Sequence, residues 1–191
     1  MFVKICGITN RDDAIAAIEA GAGAIGFVFH KPSPRYANPA ALEPWISEIP
    51  TNIWKVGVFV NEAPEAIEQI AASLQLDIAQ LHGDETPDRH PRGLRIWKAF
   101  RMHNGAGPEH SYPAEAILLD GPGKGQTFDW RIAQGMRGKV IVAGGLTPDN
   151  VRAAIEQTNP WGVDTASGVE ASPGRKDHAR MKQFIQAALG S

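Results

Sequence analysis

A single thiol serves the whole chain of 191 residues, and it stands where an apolar run gives out, in Lys4-Ile5-Cys6-Gly7-Ile8-Thr9. Val3, Ile5 and Ile8 are strand formers, and period-two alternation puts Lys4 and Cys6 on one face and Ile5 on the other. A thiol at the C-terminal tip of a strand, before a turn into a helix, lies where α/β proteins build active sites. To act as a base it needs its thiolate favoured by a nearby cation or by loop N–H groups. The plainer alternative is a small buried hydrophobe. Asp120 ends the apolar run Ile117-Leu118-Leu119, so its carboxyl can sit over hydrophobic surface and hold a proton for general acid work; a helix cap or a loop salt bridge is the alternative.

Other polar groups fall at matching places. Arg35, in Ser33-Pro34-Arg35, offers five donors in a planar fork suited to a carboxylate, unless it is an ordinary surface arginine. Gln80 and His82 alternate onto one face and can orient a substrate, or they form a hydrogen-bonded core pair. His82 has no evident second and third ligand, so no metal site is expected. Gly144-Gly145 and, one unit later, Ser167-Gly168 are an anion signal, because glycines let backbone N–H groups approach a phosphate. Alone, a Gly-Gly pair is only a turn. Lys4 and Asp164 can pair with each other if the first and last strands meet.

The elements that must position these groups alternate along the chain. Strands are expected near residues 3–6, 24–29, 54–60, 78–82, 95–100, 116–120, 140–143 and 162–167. Helical stretches are expected over 11–20, 39–49, 64–74, 128–136, 148–158 and 178–189, with Thr9 and Asn10 introducing the first and Thr147 capping the fifth. Thr86 to Arg92 offers at best a broken helix, and Met102 to Pro113 reads as an irregular connection rich in Gly and Pro. Strand-helix alternation with short loops argues for a closed parallel (β/α)8 TIM barrel, a single catalytic domain over residues 1–191, short for a fold that typically takes ~250 residues. In such a barrel the strand ends and the loops after them share one face, and loops seven and eight make the common phosphate site. The tryptophans, including Trp45, Trp97 and Trp161, read as packing residues.

Composition sets outer limits. Hydrophobic residues make up 43% and charged residues 21%, so neither disorder nor a fibrous architecture is indicated. A net charge of −2 without a long basic run speaks against nucleic-acid and anionic-membrane partners, while leaving room for a small anion. One cysteine excludes an intramolecular disulfide. No window has the ~18 apolar residues of a membrane helix and no secretory segment is evident, so a cytoplasmic location is expected.

Taken in order, Lys4 to Thr9, Gly26-Phe27-Val28-Phe29, Ser33-Pro34-Arg35, Gly57-Val58-Phe59-Val60-Asn61, Gln80-Leu81-His82-Gly83, Leu118-Leu119-Asp120, Phe128-Asp129-Trp130, Gly144-Gly145-Leu146 and Asp164 to Glu170 followed by Pro173-Gly174 closely resemble the phosphoribosylanthranilate isomerase family of tryptophan biosynthesis. The resemblance runs from residue 3 to about residue 185. It implies a barrel with an irregular fifth unit and an Amadori rearrangement of N-(5-phosphoribosyl)anthranilate that uses no cofactor and no metal. It also implies that Asp120 is the general acid that opens the ribose ring and Cys6 the base that takes the proton from C2. Arg35 is then the grip on the anthranilate carboxylate, Gln80, His82 and Asp164 are substrate contacts, and Gly144, Gly145, Ser167 and Gly168 hold the phosphate. The loop Gly121-Pro122-Gly123-Lys124-Gly125-Gln126-Thr127 is shorter than the family pattern, which leaves the role of Lys124 open. The expected partner is a small phosphorylated substrate, with no nucleic acid and no membrane, bound by a monomer or homodimer. Two other readings stand beside this one: a dual-substrate isomerase that also serves the histidine pathway, and a catalytically silent phosphate-binding barrel.

Overall fold

Alternation within each strand divides the core of this protein in two. Outward-facing Ile5, Ile25, Phe27 and Leu119 pack under the surrounding helices, while inward-facing Ala24, Val56, Ile78, Trp97, Leu118 and Ile141 fill the lower half of a barrel. The structure, a computed structural model, describes residues 1–102, 112–123 and 125–190. Its strands β1 (Phe2–Cys6), β2 (Ala24–Val28), β3 (Trp54–Phe59), β4 (Ile78–Leu81), β5 (Arg95–Arg101), β6 (Ala116–Asp120), β7 (Lys139–Val142) and β8 (Gly162–Thr165) each pair in parallel with the next. β8 returns to β1 with Lys4 opposite Asp164, and the sheet closes. A two-stranded hairpin, β9 (Glu170–Ser172) and β10 (Arg175–Lys176), follows the last barrel strand.

Five α-helices ring the described part: α1 (Arg11–Glu19), α2 (Pro39–Leu42), α3 (Pro64–Leu74), α4 (Val151–Thr158) and α5 (His178–Leu189). Asn10 caps α1 by accepting from the Asp13 N–H at 3.0 Å, and Asp177 caps α5 through the Arg180 N–H at 3.0 Å. The N-terminal end of the barrel is closed by aromatic rings. Phe2 stacks on Trp161 at 4.4 Å, leans on Trp54 at 4.9 Å and meets Trp97 edge-on at 6.0 Å, which is the packing role expected of tryptophan. With the barrel interior filled by rings at that end, the cavity lies at the opposite one.

Several expected helices are shorter than their patterns. The stretch 39–49 forms one turn, Pro39–Leu42, and a separate 3-10 turn, Ile46–Glu48, because Pro44 interposes a residue without an N–H. Over 128–136 only a 3-10 turn at Trp130–Ala133 forms, capped by Asp129 and stopped by Gly135 at φ 73°. Thr147 does not cap α4. Its N–H donates to Asn150 Oδ1 at 2.8 Å, Asn150 Nδ2 donates to Gly145 O at 2.9 Å, and the helix starts at Val151, one residue after Asn150. Ser167 and Gly168 lie beyond β8, in a 3-10 turn. Thr86 to Arg92 contributes a 3-10 turn at Pro87–Arg89, and residues 103–111 of the stretch expected to be an irregular connection lie outside the described residues.

Candidate active site

The C-terminal ends of the strands surround a cavity of about 610 Å³, and all ten residues singled out from the sequence line it: Cys6, Arg35, Gln80, His82, Asp120, Gly144, Gly145, Asp164, Ser167 and Gly168. Each strand contributes through its last inward position or the turn after it, which is why residues 162 apart in sequence share one wall. Lys124, whose role was left open, lies outside the described residues.

Cys6 is 7% exposed at the tip of β1. Burial pushes its thiol up, and Lys4 and Lys176 pull it only part of the way back. Gly7 turns the chain at φ 71°, and a Cβ there would come 2.7 Å from Arg35 Cδ, so the arginine stem lies directly on the glycine. The guanidinium is not free. Its Nε and Nη2 donate to the two carboxylate oxygens of Glu170 at 2.8 and 2.7 Å, a bidentate pair that holds Arg35 above its usual range. The edge formed by Nη1 and the second proton of Nη2 is still available to a ligand carboxylate.

Asp120 ends β6 with its carboxyl about a quarter exposed, and His82 Nε2 lies 3.2 Å from Oδ2, off the line of a hydrogen bond. Gln80 is 1% exposed and its Oε1 has no partner among the described residues, so the expected alternative of a Gln80–His82 core pair is not formed. An orphaned buried acceptor on a cavity wall invites a hydroxyl. Lys4 and Asp164 do pair, Nζ to Oδ1 at 2.9 Å, with Lys4 wholly buried.

At the other end of the cavity, Gly144 and Gly145 sit in left-handed backbone at φ 77° and 64°. Their N–H groups donate to no protein group among the described residues, a nest suited to an anion. A side chain on Gly144 would strike Gly121 and approach Asp120 Oδ1 to 3.0 Å, so the glycine lets β6 and β7 bring the carboxyl beside the nest. Arg180 of α5 donates from Nε to Gly168 O at 2.7 Å and adds a cation to that wall.

Sequence reading missed Glu170, Lys176, Arg180 and Gly26. Lys176, on β10, donates to Glu170 Oε1 and Ala166 O, both at 3.1 Å. The hairpin carrying Glu170 and Lys176 is strapped to the first β/α turn by Thr9 Oγ1 donating to Gly174 O at 2.6 Å and by Lys176 N donating to Asp13 Oδ2 at 2.9 Å. Only the Asp164-to-Glu170 motif hinted at Glu170, and nothing in sequence pairs it with a residue 135 positions away. Among the described residues no cluster of three or more His, Cys, Asp or Glu could hold a metal ion.

Fold and cavity define a (β/α)8 barrel whose open end gathers a thiol, a carboxyl and two glycine N–H groups without a protein partner among the described residues. The family model described as N-(5'-phosphoribosyl)anthranilate (PRA) isomerase matches residues 3–187. N-(5'-phosphoribosyl)anthranilate isomerase of Solibacter usitatus is 47% identical, covering 98% of this chain and 97% of its own. A solved phosphoribosyl anthranilate isomerase in complex with reduced 1-(o-carboxyphenylamino)-1-deoxyribulose 5-phosphate superposes with a TM-score of 0.90 at 40% identity, covering all of both chains. Monomers derived from the dimeric enzyme of Thermotoga maritima give the same TM-score, identity and coverage. The chain belongs to the N-(5'-phosphoribosyl)anthranilate isomerase family.

Proposed function

We propose that this cavity carries out the family's reaction, the Amadori rearrangement of N-(5-phospho-β-D-ribosyl)anthranilate to 1-(2-carboxyphenylamino)-1-deoxy-D-ribulose 5-phosphate. The observation that carries the reading is the convergence of thiol, carboxyl and anion nest on one cavity. The phosphate is held by N–H groups of Gly144, Gly145, Ser167 and Gly168, which places the ribose between β1 and β6. Asp120 gives its proton to the ring oxygen, the C1–O bond breaks, and the anilinic nitrogen supplies electrons to form a Schiff base. Cys6 then removes the proton from C2, the electrons of that C–H bond neutralise the iminium, and the resulting enolamine tautomerises to the ketone by gaining a proton at C1. Acid and base stand on different strands, so both reach one sugar without displacing each other.

The orphaned Gln80 Oε1 accepts from a sugar hydroxyl, Asp164 Oδ2 does the same, and His82 lies beside the acid. Arg35 meets the anthranilate carboxylate with the edge that Glu170 leaves open. The reaction needs no cofactor, because the redox change is internal to the sugar. Residues 1–191 act as one catalytic unit on this small phosphorylated molecule, in the cytoplasm, as a monomer or homodimer. Among the described residues no helix is long and apolar enough to cross a membrane.

The test is a fluorescence assay of the loss of freshly made phosphoribosylanthranilate. Cys6→Ser and Asp120→Asn are each expected to lower kcat by about 10²-fold or more with KM little changed, since each removes a proton-transfer group. Near-wild-type kcat in either variant removes that residue from its role, and no turnover by wild type removes the reaction.

A further inference from the structure

Cys6 does not meet the cavity alone. From its own strand, Lys4 reaches the same side of the barrel, fully buried, and donates to Asp164 Oδ1 at 2.9 Å across the seam between β1 and β8. From β2 comes no charge, because Gly26 stands opposite Cys6. A Cβ on Gly26 would lie 2.9 Å from Cys6 Sγ and 3.1 Å from Lys4 Nζ, so the space of the missing side chain is bordered by both atoms. From β10 comes Lys176, already matched by Glu170, and from the loop after β2 comes Arg35, matched by the same carboxylate. Gln80 of β4 is uncharged, and Asp120 of β6 is the remaining carboxyl on the cavity wall near the strand ends.

We propose that Lys4 is the positioning residue of the thiol base: its ammonium, tethered by Asp164 at the barrel seam, stands beside the sulfur as the thiolate forms and sets the pH at which Cys6 can accept a proton. This deepens the base role given to Cys6 above and rests on it. A lysine that served only to staple β1 to β8 would need its counter-ion, but not a glycine on β2 whose missing side chain lets sulfur and ammonium both close in on the same point. Burial opposes a charge on Lys4, and Asp164 together with Cys6 outweigh that and keep it charged. Lys4 lies within the barrel interior, so salt screens its attraction for the thiolate far less than a surface charge's. Asp164 acts in the opposite sense: its carboxylate holds the ammonium in place and at the same time repels a thiolate.

The two residues should therefore move the ionisation of Cys6 in opposite directions, a signature that stapling alone does not produce. Cys6 is the single cysteine of the chain, so alkylation by iodoacetamide, followed by mass spectrometry across pH on the substrate-free full chain, reports on it alone. Lys4→Met is expected to shift the alkylation limb to higher pH by about one unit or more, the effect of losing an adjacent opposite charge. Asp164→Asn is expected to shift it to lower pH. Where Lys4→Met fails to fold, Asp164→Asn decides the matter. A limb left in place by either variant overturns the proposal, as does movement of both to lower pH, which is what loosened packing around a buried thiol gives. Full activity in Cys6→Ser would remove the base role while leaving the alkylation result standing, so the two failures are distinguishable.

Discussion

The pairing of Arg35 with Glu170 changes what the arginine can do. A free guanidinium of this length loses rotamer entropy each time it binds, whereas one clamped at 2.7–2.8 Å on two nitrogens presents its other edge in a fixed direction. Burial opposes the charge of Glu170, but Arg35 and Lys176 hold its carboxyl below the usual range, so the clamp is ionised at neutral pH. Glu170→Gln is expected to raise KM for phosphoribosylanthranilate by about tenfold with little change in kcat, since it loosens the proposed grip of Arg35 on the substrate and leaves the proposed proton-transfer groups alone; steady-state kinetics check this, and a fall in kcat at constant KM would contradict it. Cys6 makes a second prediction. Burial raises its thiol, and in the proposed mechanism the thiolate is the active form, so kcat/KM should climb with pH and level only above about 8.5, the ordinary thiol value. A pH profile flat from 6 to 9 would show a base that is ionised throughout.

At the scale of elements, the loops after β3 and β4 are tied down by one buried carboxylate. Glu85 accepts from Asn61 N at 2.8 Å and Gly83 N at 2.9 Å, and from Lys98 Nζ at 2.7 Å, while Lys98 also donates to Gly83 O at 2.6 Å. Burial works against the charge on Glu85, and these donors win, leaving its carboxyl lowered. Glu85→Ala leaves Lys98 buried without a counter-charge and is expected to cost about 3–5 kcal/mol in urea unfolding. Adding Lys98→Met should recover much of that loss, because the unpaired charge is then gone. The same contacts show why 78–82 read well from sequence and the following turn did not. Alternation of apolar residues is local, but the clasp joins Glu85 to a backbone N–H 24 positions earlier and a lysine 13 positions later.

For the whole molecule, acid stability is set partly at the floor of the barrel. Glu115, just before β6, accepts from Arg95 of β5 and Lys139 of β7, and the two cations hold its carboxyl at about 2. A carboxyl lowered on folding contributes stability that is present above its ordinary value of about 4.5 and is lost as pH falls toward 2. Thermal unfolding across that window should therefore steepen in the wild type, and Glu115→Gln should flatten the slope while lowering Tm near neutrality. An identical pH dependence in both would mean that the three-strand tie contributes nothing measurable.

What the sequence by itself determined was the order of the eight strands, the barrel they close into and the ten cavity residues. Strand periodicity and glycine placement are local properties, and a parallel barrel puts every strand end on one face whatever the loops do. The Lys4–Asp164 pair was also within reach, because closure makes the first strand and the last neighbours. Tertiary structure alone decided that Arg35 arrives clamped by Glu170, that Gly26 makes room for Cys6 and Lys4 together, and that the helices after β2, β6 and β7 shrink to short turns or start late. Those outcomes depend on which groups meet across long separations and on how much backbone each loop must spend in reaching them, and neither quantity is written in any one stretch of the chain.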